Sequence, residues 1–139
     1  MINKAILVGR VGGTPQVKEF QDGGKVAQFS LATSEPGFTT RDGKQIPERT
    51  EWHNVVIRGG LVKVVENYVE VGQQLYIEGK IRTRSYEQDG VKKYVTEILC
   101  DTLKMLGHKP NRRQEGQQEN PAPSQENTGE HQPEDDFPF

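Results

Sequence analysis

Only one stretch of this chain has the period of a helix. Within Gly60–Val71, the residues Leu61, Val64, Val65 and Tyr68 fall at i, i+3, i+4 and i+7, which places them on one helical face. Gly72 is positioned to end that helix. A parallel α/β sheet needs a crossover, usually a helix, between each pair of its strands. A chain with a single helix is therefore expected to be all-β.

The remaining apolar runs in residues 1–107 read as strands. Ile2–Val11 carries Ile2, Lys4, Ile6, Val8 and Arg10 on one face and Ala5, Leu7 and Val11 on the other, so both faces hold apolar residues. Two readings stay open: burial on both sides within one chain, or one face in the core and the other against a second subunit. Asp22-Gly23-Gly24 marks a turn between Gln16–Phe20 and Lys25–Thr33, where Ala27, Phe29 and Leu31 oppose Gln28 and Ser30. Residues 34–49 are polar and broken by Pro36, Gly37, Asp42-Gly43 and Pro47. They are expected to form a long mobile loop carrying Phe38, Arg41, Lys44 and Arg49, with a solvated hairpin tip as the alternative.

Thr50–Arg58 holds the only tryptophan and stops at Gly59-Gly60. Alternation puts His53, Val55 and Ile57 on one side, expected in the core, and Trp52, Asn54, Val56 and Arg58 on the other. In Gln73–Tyr86, Leu75, Ile77 and Ile81 should face inward, and Tyr76, Glu78, Lys80, Arg82, Arg84 and Tyr86 outward. Asp89-Gly90 is a hairpin turn leading through Lys92-Lys93 into Tyr94–Cys100, and a last apolar patch holds Leu103, Met105 and Leu106. The order is three strands, a helix, then two strands. It matches an all-β, five-stranded Greek-key barrel of the oligonucleotide/oligosaccharide-binding (OB) type, with one short helix between strands 3 and 4.

Composition sets the domain boundary. Only 32% of residues are hydrophobic, and within 108–139 only Ala122, Phe137 and Phe139 belong to that class. Such a segment cannot bury enough apolar surface to offset the entropy of ordering it. Residues 1–107 are expected to fold and 108–139 to form a disordered acidic tail. The tail has 3 Lys+Arg against 7 Asp+Glu, and the remainder 15 against 13. A mildly basic domain thus precedes an acidic tail, the pattern of an interaction tail, with a solubilising tail as the bland alternative. The single cysteine, Cys100, allows no intramolecular disulfide and is expected to be a small buried hydrophobe. The N-terminal apolar run is too short for a signal peptide and no segment is long enough to span a membrane, so a cytoplasmic, nucleoid-associated protein is expected.

No catalytic constellation emerges. The histidines are His53, His108 and His131, and no Cys/His spacing suits zinc. Gly12-Gly13 and Gly23-Gly24 match neither a phosphate-cradling loop nor a dinucleotide fingerprint. Neither an enzyme nor a cofactor or metal site is expected. A binding constellation does emerge: Trp52 and Arg58 on one strand, with Lys80, Arg82, Arg84 and Tyr86 on another. Rings stack unpaired bases and cations meet the phosphates, which suits single-stranded nucleic acid of any sequence. Trp52 could instead close one side of the core. Arg10, Phe38 and Arg49 are further candidates for contact with the nucleic acid.

The chain resembles bacterial single-stranded DNA-binding proteins of replication and repair. The resemblance is carried by Asn3–Gly9, Val26–Ser34, Glu51–Val56, Tyr76–Arg84 and the terminal Asp135-Asp136-Phe137-Pro138-Phe139. It implies an OB-fold, a homotetramer, sequence-independent binding of single-stranded DNA and a stacking role for Trp52. Tyr86 stands where the family often has tryptophan, and Arg58 where many relatives have phenylalanine; a guanidinium stacks on a base and also meets phosphate. Within the same fold, the alternative is a primosome-type adaptor that acts mainly as a protein-interaction module; a phage- or plasmid-borne version of the family is also open.

The tip Glu134–Phe139 sets two phenylalanines beside three carboxylates and the α-carboxylate. A disordered tail has no core for those rings, so they ask for an external pocket, and Pro138 lowers the entropy lost on docking. Asp135, Asp136, Phe137, Pro138 and Phe139 are therefore expected to dock on partner proteins. The resemblance implies helicases, nucleases and primosome proteins as those partners.

Overall fold

The structure is a computed structural model and describes residues 1–107. The expected disordered tail and its tip, Asp135–Phe139, lie outside the described residues. The elements in chain order are β1 (Ala5–Val11), β2 (Gln16–Glu19), β3 (Lys25–Glu35), β4 (Phe38–Thr39), β5 (Gln45–Ile46), β6 (Arg49–Arg58), α1 (Leu61–Tyr68), β7 (Gln74–Gln88) and β8 (Val91–Leu106).

Five strands form a closed mixed barrel of the OB-fold type. They run β1-β7-β8-β6-β3, and β3 returns to pair with β1 through Arg10–Ala32 and Val11–Leu31. All contacts are antiparallel except β6 with β8. Closure leaves no long open edge inside the barrel, and β2 adds a short outer strand to β3. The alternation read from the sequence fills the interior: Ala27, Phe29 and Leu31 from β3, Val55 and Ile57 from β6, and Leu75 and Ile77 from β7 are buried. Val11, Ile98, Cys100 and Leu103 complete the core. Burial pushes the Cys100 thiol up to about 11, and its Sγ donates to the Thr102 carbonyl at 3.3 Å, so it behaves as the small hydrophobe expected.

The helix is where its period puts it, with its face turned by one position. Val62, Val65 and Val69 are buried, whereas Tyr68 is half exposed and Leu61 and Val64 only flank the core. Eight residues give barely two turns, so the barrel mouth rather than the pattern decides which stripe is covered. Gly72 does not end the helix, which stops at Tyr68. It lies in the following turn at φ +83°, where its N–H donates to the Val11 carbonyl at 2.7 Å.

Three further expectations are corrected. Residues 34–49 are not one loop: β3 runs on to Glu35, and β4 and β5 pair as a small hairpin through Phe38–Ile46 and Thr39–Gln45. Ile2 precedes β1 and is fully exposed. Ile81 faces solvent at 49% exposure despite its inward parity. The ladder of β7 with β1 ends at Ala5–Gly79, so beyond Gly79 β7 has only β8 beside it; β8 pairs with β6 only from Glu97 on, opposite Arg82, and past that point the two strands continue alone as an arm. Asn3 brackets the Ile81 backbone, donating to its carbonyl at 2.9 Å and accepting from its N–H at 3.0 Å. Asp89 and Gly90, at φ 53° and 75°, make the tight turn at the arm's tip.

Candidate nucleic-acid interface

One face of β6 organises the surface. Trp52, Asn54, Val56 and Arg58 alternate outward and lie opposite Ala32, Ser30, Gln28 and Val26 of β3. The Trp52 ring is 58% exposed, so it does not close the core. Gly12 makes room for it: a Cβ there would collide with the six-membered ring of Trp52 and come within 2.9 Å of Ser30 Oγ.

On the other side β6 pairs with β8, which sets Glu97 beside Asn54 and Leu99 beside Val56. Across β8 lies β7, with Lys80 opposite Leu99, Arg82 opposite Glu97 and Tyr86 opposite Lys93. The sheet order therefore brings Arg58 together with Arg82 and Arg84 around one hollow, whose other walls include Val56 and Leu99. Arg84 is committed locally: its Nε and one terminal nitrogen both donate to Glu97 Oε1 at 3.0 Å. That hydrogen bond raises the Arg84 guanidinium above its ordinary value, and its carbon sits 5.9 Å above the Tyr86 ring. Glu97 is buried on β8, so the ion pair ties β7 to β8 across the hairpin. Among the described residues, Arg58, Lys80 and Arg82 form no ion pair and remain open to a ligand.

The other expected contact residues lie apart. Phe38, 62% exposed, lines a recess at the base of the β4–β5 hairpin with Pro36, Ile46, Pro47 and Arg49. Arg49 leaves β6 on the opposite side from Trp52 by strand alternation. Arg10 points away to the loop after the helix, where it donates to the Gly72 carbonyl at 3.0 Å. Sequence reasoning missed Lys18 and Phe20, which line the hollow with Arg58, and the buried Glu97 beneath Arg84. The turn joining Gln16–Phe20 to Lys25–Thr33 was available, but not that β6 and β8 would come to lie beyond β3 and complete the hollow.

A second surface lies on the outside of β1. Ile6 and Val8 are 58% and 47% exposed beside Tyr76 and Glu78 of β7. Glu78 accepts from the Tyr76 hydroxyl at 2.8 Å and pairs with Lys4 at 3.2 Å, which holds its carboxyl below the usual range. Among the described residues no group of three His, Cys, Asp or Glu could hold a metal ion. No helix among them is long and apolar enough to cross a membrane.

The sequence profile of the Single-strand binding protein family matches residues 2–106. The chain belongs to that family. It is 53% identical over 109 residues to the Single-stranded DNA-binding protein of Bacteroides thetaiotaomicron, covering 78% of this chain and 68% of that one. It is 44% identical over 110 residues to Single-stranded DNA-binding protein 1 of Chlorobaculum tepidum, covering 78% and 67%. Among solved structures, the Plasmodium falciparum SSB in complex with single-stranded DNA superposes with a TM-score of 0.69 at 33% identity, over 77% of this chain and 96% of that one. A deletion mutant of the single-stranded DNA binding protein from Thermus aquaticus gives 0.64 at 24% identity, over 76% and 51%, and so supports the fold alone.

Proposed function

We propose that this member of the single-strand binding family binds single-stranded DNA without sequence preference and protects it during replication, recombination and repair, in the cytoplasm at the nucleoid. It does so by binding and not by catalysis. The observation that carries the reading is the half-exposed Trp52 on the same β6 face as Arg58, continuous with a hollow walled by Arg82 and Arg84. Bases stack on the indole, and phosphates meet Arg58, Lys80 and Arg82. Arg84 is largely neutralised by Glu97 and positions Tyr86. Phe38 offers a further exposed ring at the hairpin, Arg49 contributes less because it leaves β6 on the side opposite Trp52, and Arg10 contributes least, because its guanidinium is turned to Gly72.

Salt dependence tests this. The log–log slope should flatten by roughly 0.7 for each phosphate that is no longer neutralised. Lys80→Ala and Arg82→Ala should each remove about one such step, and Arg84→Ala less than either. An unchanged slope in Lys80→Ala/Arg82→Ala would place the strand elsewhere.

The proposal includes a homotetramer. Exposed Ile6 and Val8 on β1 form an apolar strip flanked by the Lys4–Glu78 pair, a self-complementary surface for a two-fold contact. A sedimentation mass of one chain at micromolar concentration would contradict it.

The terminal Asp135, Asp136, Phe137, Pro138 and Phe139 are proposed to recruit repair and replication proteins such as helicases, nucleases and primosome proteins. The support is their chemistry: two rings for an apolar pocket, and carboxylates for the cations around it. Deleting Asp135–Phe139 should leave oligo-dT affinity unchanged or slightly higher and abolish capture of repair helicases. Continued capture by the truncated chain would remove the tip from the docking role.

A further inference from the structure

The hollow at the Arg58 end of the β6 face contains a ring with no role so far. Phe20 directly follows β2, and its backbone is pinned on both sides: its N–H donates to the Gly24 carbonyl at 2.7 Å, and its carbonyl accepts from the Gly23 N–H at 3.0 Å. Gly23 takes φ +84°, which few other residues tolerate, so the turn that holds Phe20 is written into the sequence. Phe20 is 54% exposed. It lines the hollow with Val26, Val56, Arg58 and Leu99. A second recess continues from Phe20 and Arg58 towards Lys25 and Gly59, so the two side chains stand where the recesses meet.

We propose that Phe20 is a stacking residue for one unpaired nucleobase, which enters the hollow between Phe20 and Arg58. This rests on the single-stranded DNA reading above and extends it to a residue that nothing else assigns. The lining combines the covered apolar side chains Val56 and Leu99 with the exposed cations Lys18, Arg58 and Arg82. A nucleotide matches that combination: a flat apolar base for the apolar side chains and ring, and a phosphate on either side for the cations. Trp52 and Arg58 are on one strand face, roughly 20 Å apart at about 3.3 Å per residue. A bound strand several nucleotides long therefore meets a ring near each end of that face. Because the turn fixes the Phe20 backbone before binding, little conformational entropy is lost when a base docks.

The test uses the full chain. Phe20→Ala should bind oligo-dT roughly 5- to 100-fold more weakly. Its salt slope should not change, because no cation is removed, and Trp52 should still be quenched. In Trp52→Phe/Phe20→Trp the sole indole moves to position 20, and oligo-dT should quench it where duplex DNA does not. Full affinity in Phe20→Ala, or an unresponsive indole at position 20, overturns the assignment. The broader reading stands or falls separately, on whether Trp52 is quenched in the native chain. An indole at position 20 that responded to the free peptide Glu134–Phe139 and not to oligo-dT would give the hollow to the chain's own tip and equally overturn the proposal.

Discussion

Trp52→Ala is expected to weaken oligo-dT binding by about 1–3 kcal/mol per site and to leave the fold intact. The two halves of that statement have one cause. More than half of the ring is exposed, so its removal opens no cavity in the core, but it takes away the largest flat apolar surface on the β6 face. The native indole should be quenched by single strands and not by duplex, since a paired base has no free face to offer. A second variant approaches the same loss without touching the tryptophan. Gly12→Ala places a methyl group where the six-membered ring lies, and an exposed ring can swing aside where backbone could not. Its unfolding midpoint should therefore stay close to native while quenching and affinity fall. Native affinity in Trp52→Ala would sink the stacking assignment.

The barrel was legible because its strands alternate. Ala27, Phe29 and Leu31, then Val55 and Ile57, then Leu75 and Ile77 are assigned to the interior by parity alone, and all are buried. The failures share a different cause. Ile81 has the same parity as Ile77 and yet is exposed, because burial depends on which strand lies alongside, and β1 runs out at Gly79. The stripe of a two-turn helix is chosen by the barrel mouth, so Val62 displaces Leu61 from the core. For the candidate site, Trp52 and the cations of β7 could be named from the sequence, whereas the hollow could not. It is assembled by the parallel pairing of β6 with β8, a contact between segments about forty residues apart that no local pattern announces. Phe20 and Glu97 went unnoticed for that reason: each has meaning only once β2, β3, β6 and β8 are assembled in one sheet.

Gly79→Val should destabilise the barrel by about 3 kcal/mol or more, against a total stability of roughly 5–15 kcal/mol for a domain of this kind. Dihedral freedom is not the reason, since Gly79 is not among the positive-φ glycines. Space is. A Cβ at this position would run into the Leu99 carbonyl group, whose carbon lies 2.8 Å from it, and come within 3.0 Å of the Cys100 Cα. Both are backbone atoms, so no rotamer change relieves the collision. Nor can β7 move away: Gly79 pairs with Ala5 on one side and Cys100 on the other, and a shift breaks both ladders. The register changes at the same point, where Glu78 pairs with Thr102 but Gly79 with Cys100, so that Asp101 is the extra residue of a bulge. A bulge sharpens the local twist, and here it marks where β7, which goes on to carry Lys80, Arg82, Arg84 and Tyr86, parts from β1. The substitution should therefore impair folding and misplace those cations together. Gly13→Ala is the control, because a Cβ there meets only Ser30 Oγ, at 3.9 Å, and φ is not positive. Urea unfolding of the two variants against the native chain separates the cases. A Gly79→Val midpoint equal to that of Gly13→Ala would mean that the close approach of β7 to β8 does not constrain the fold.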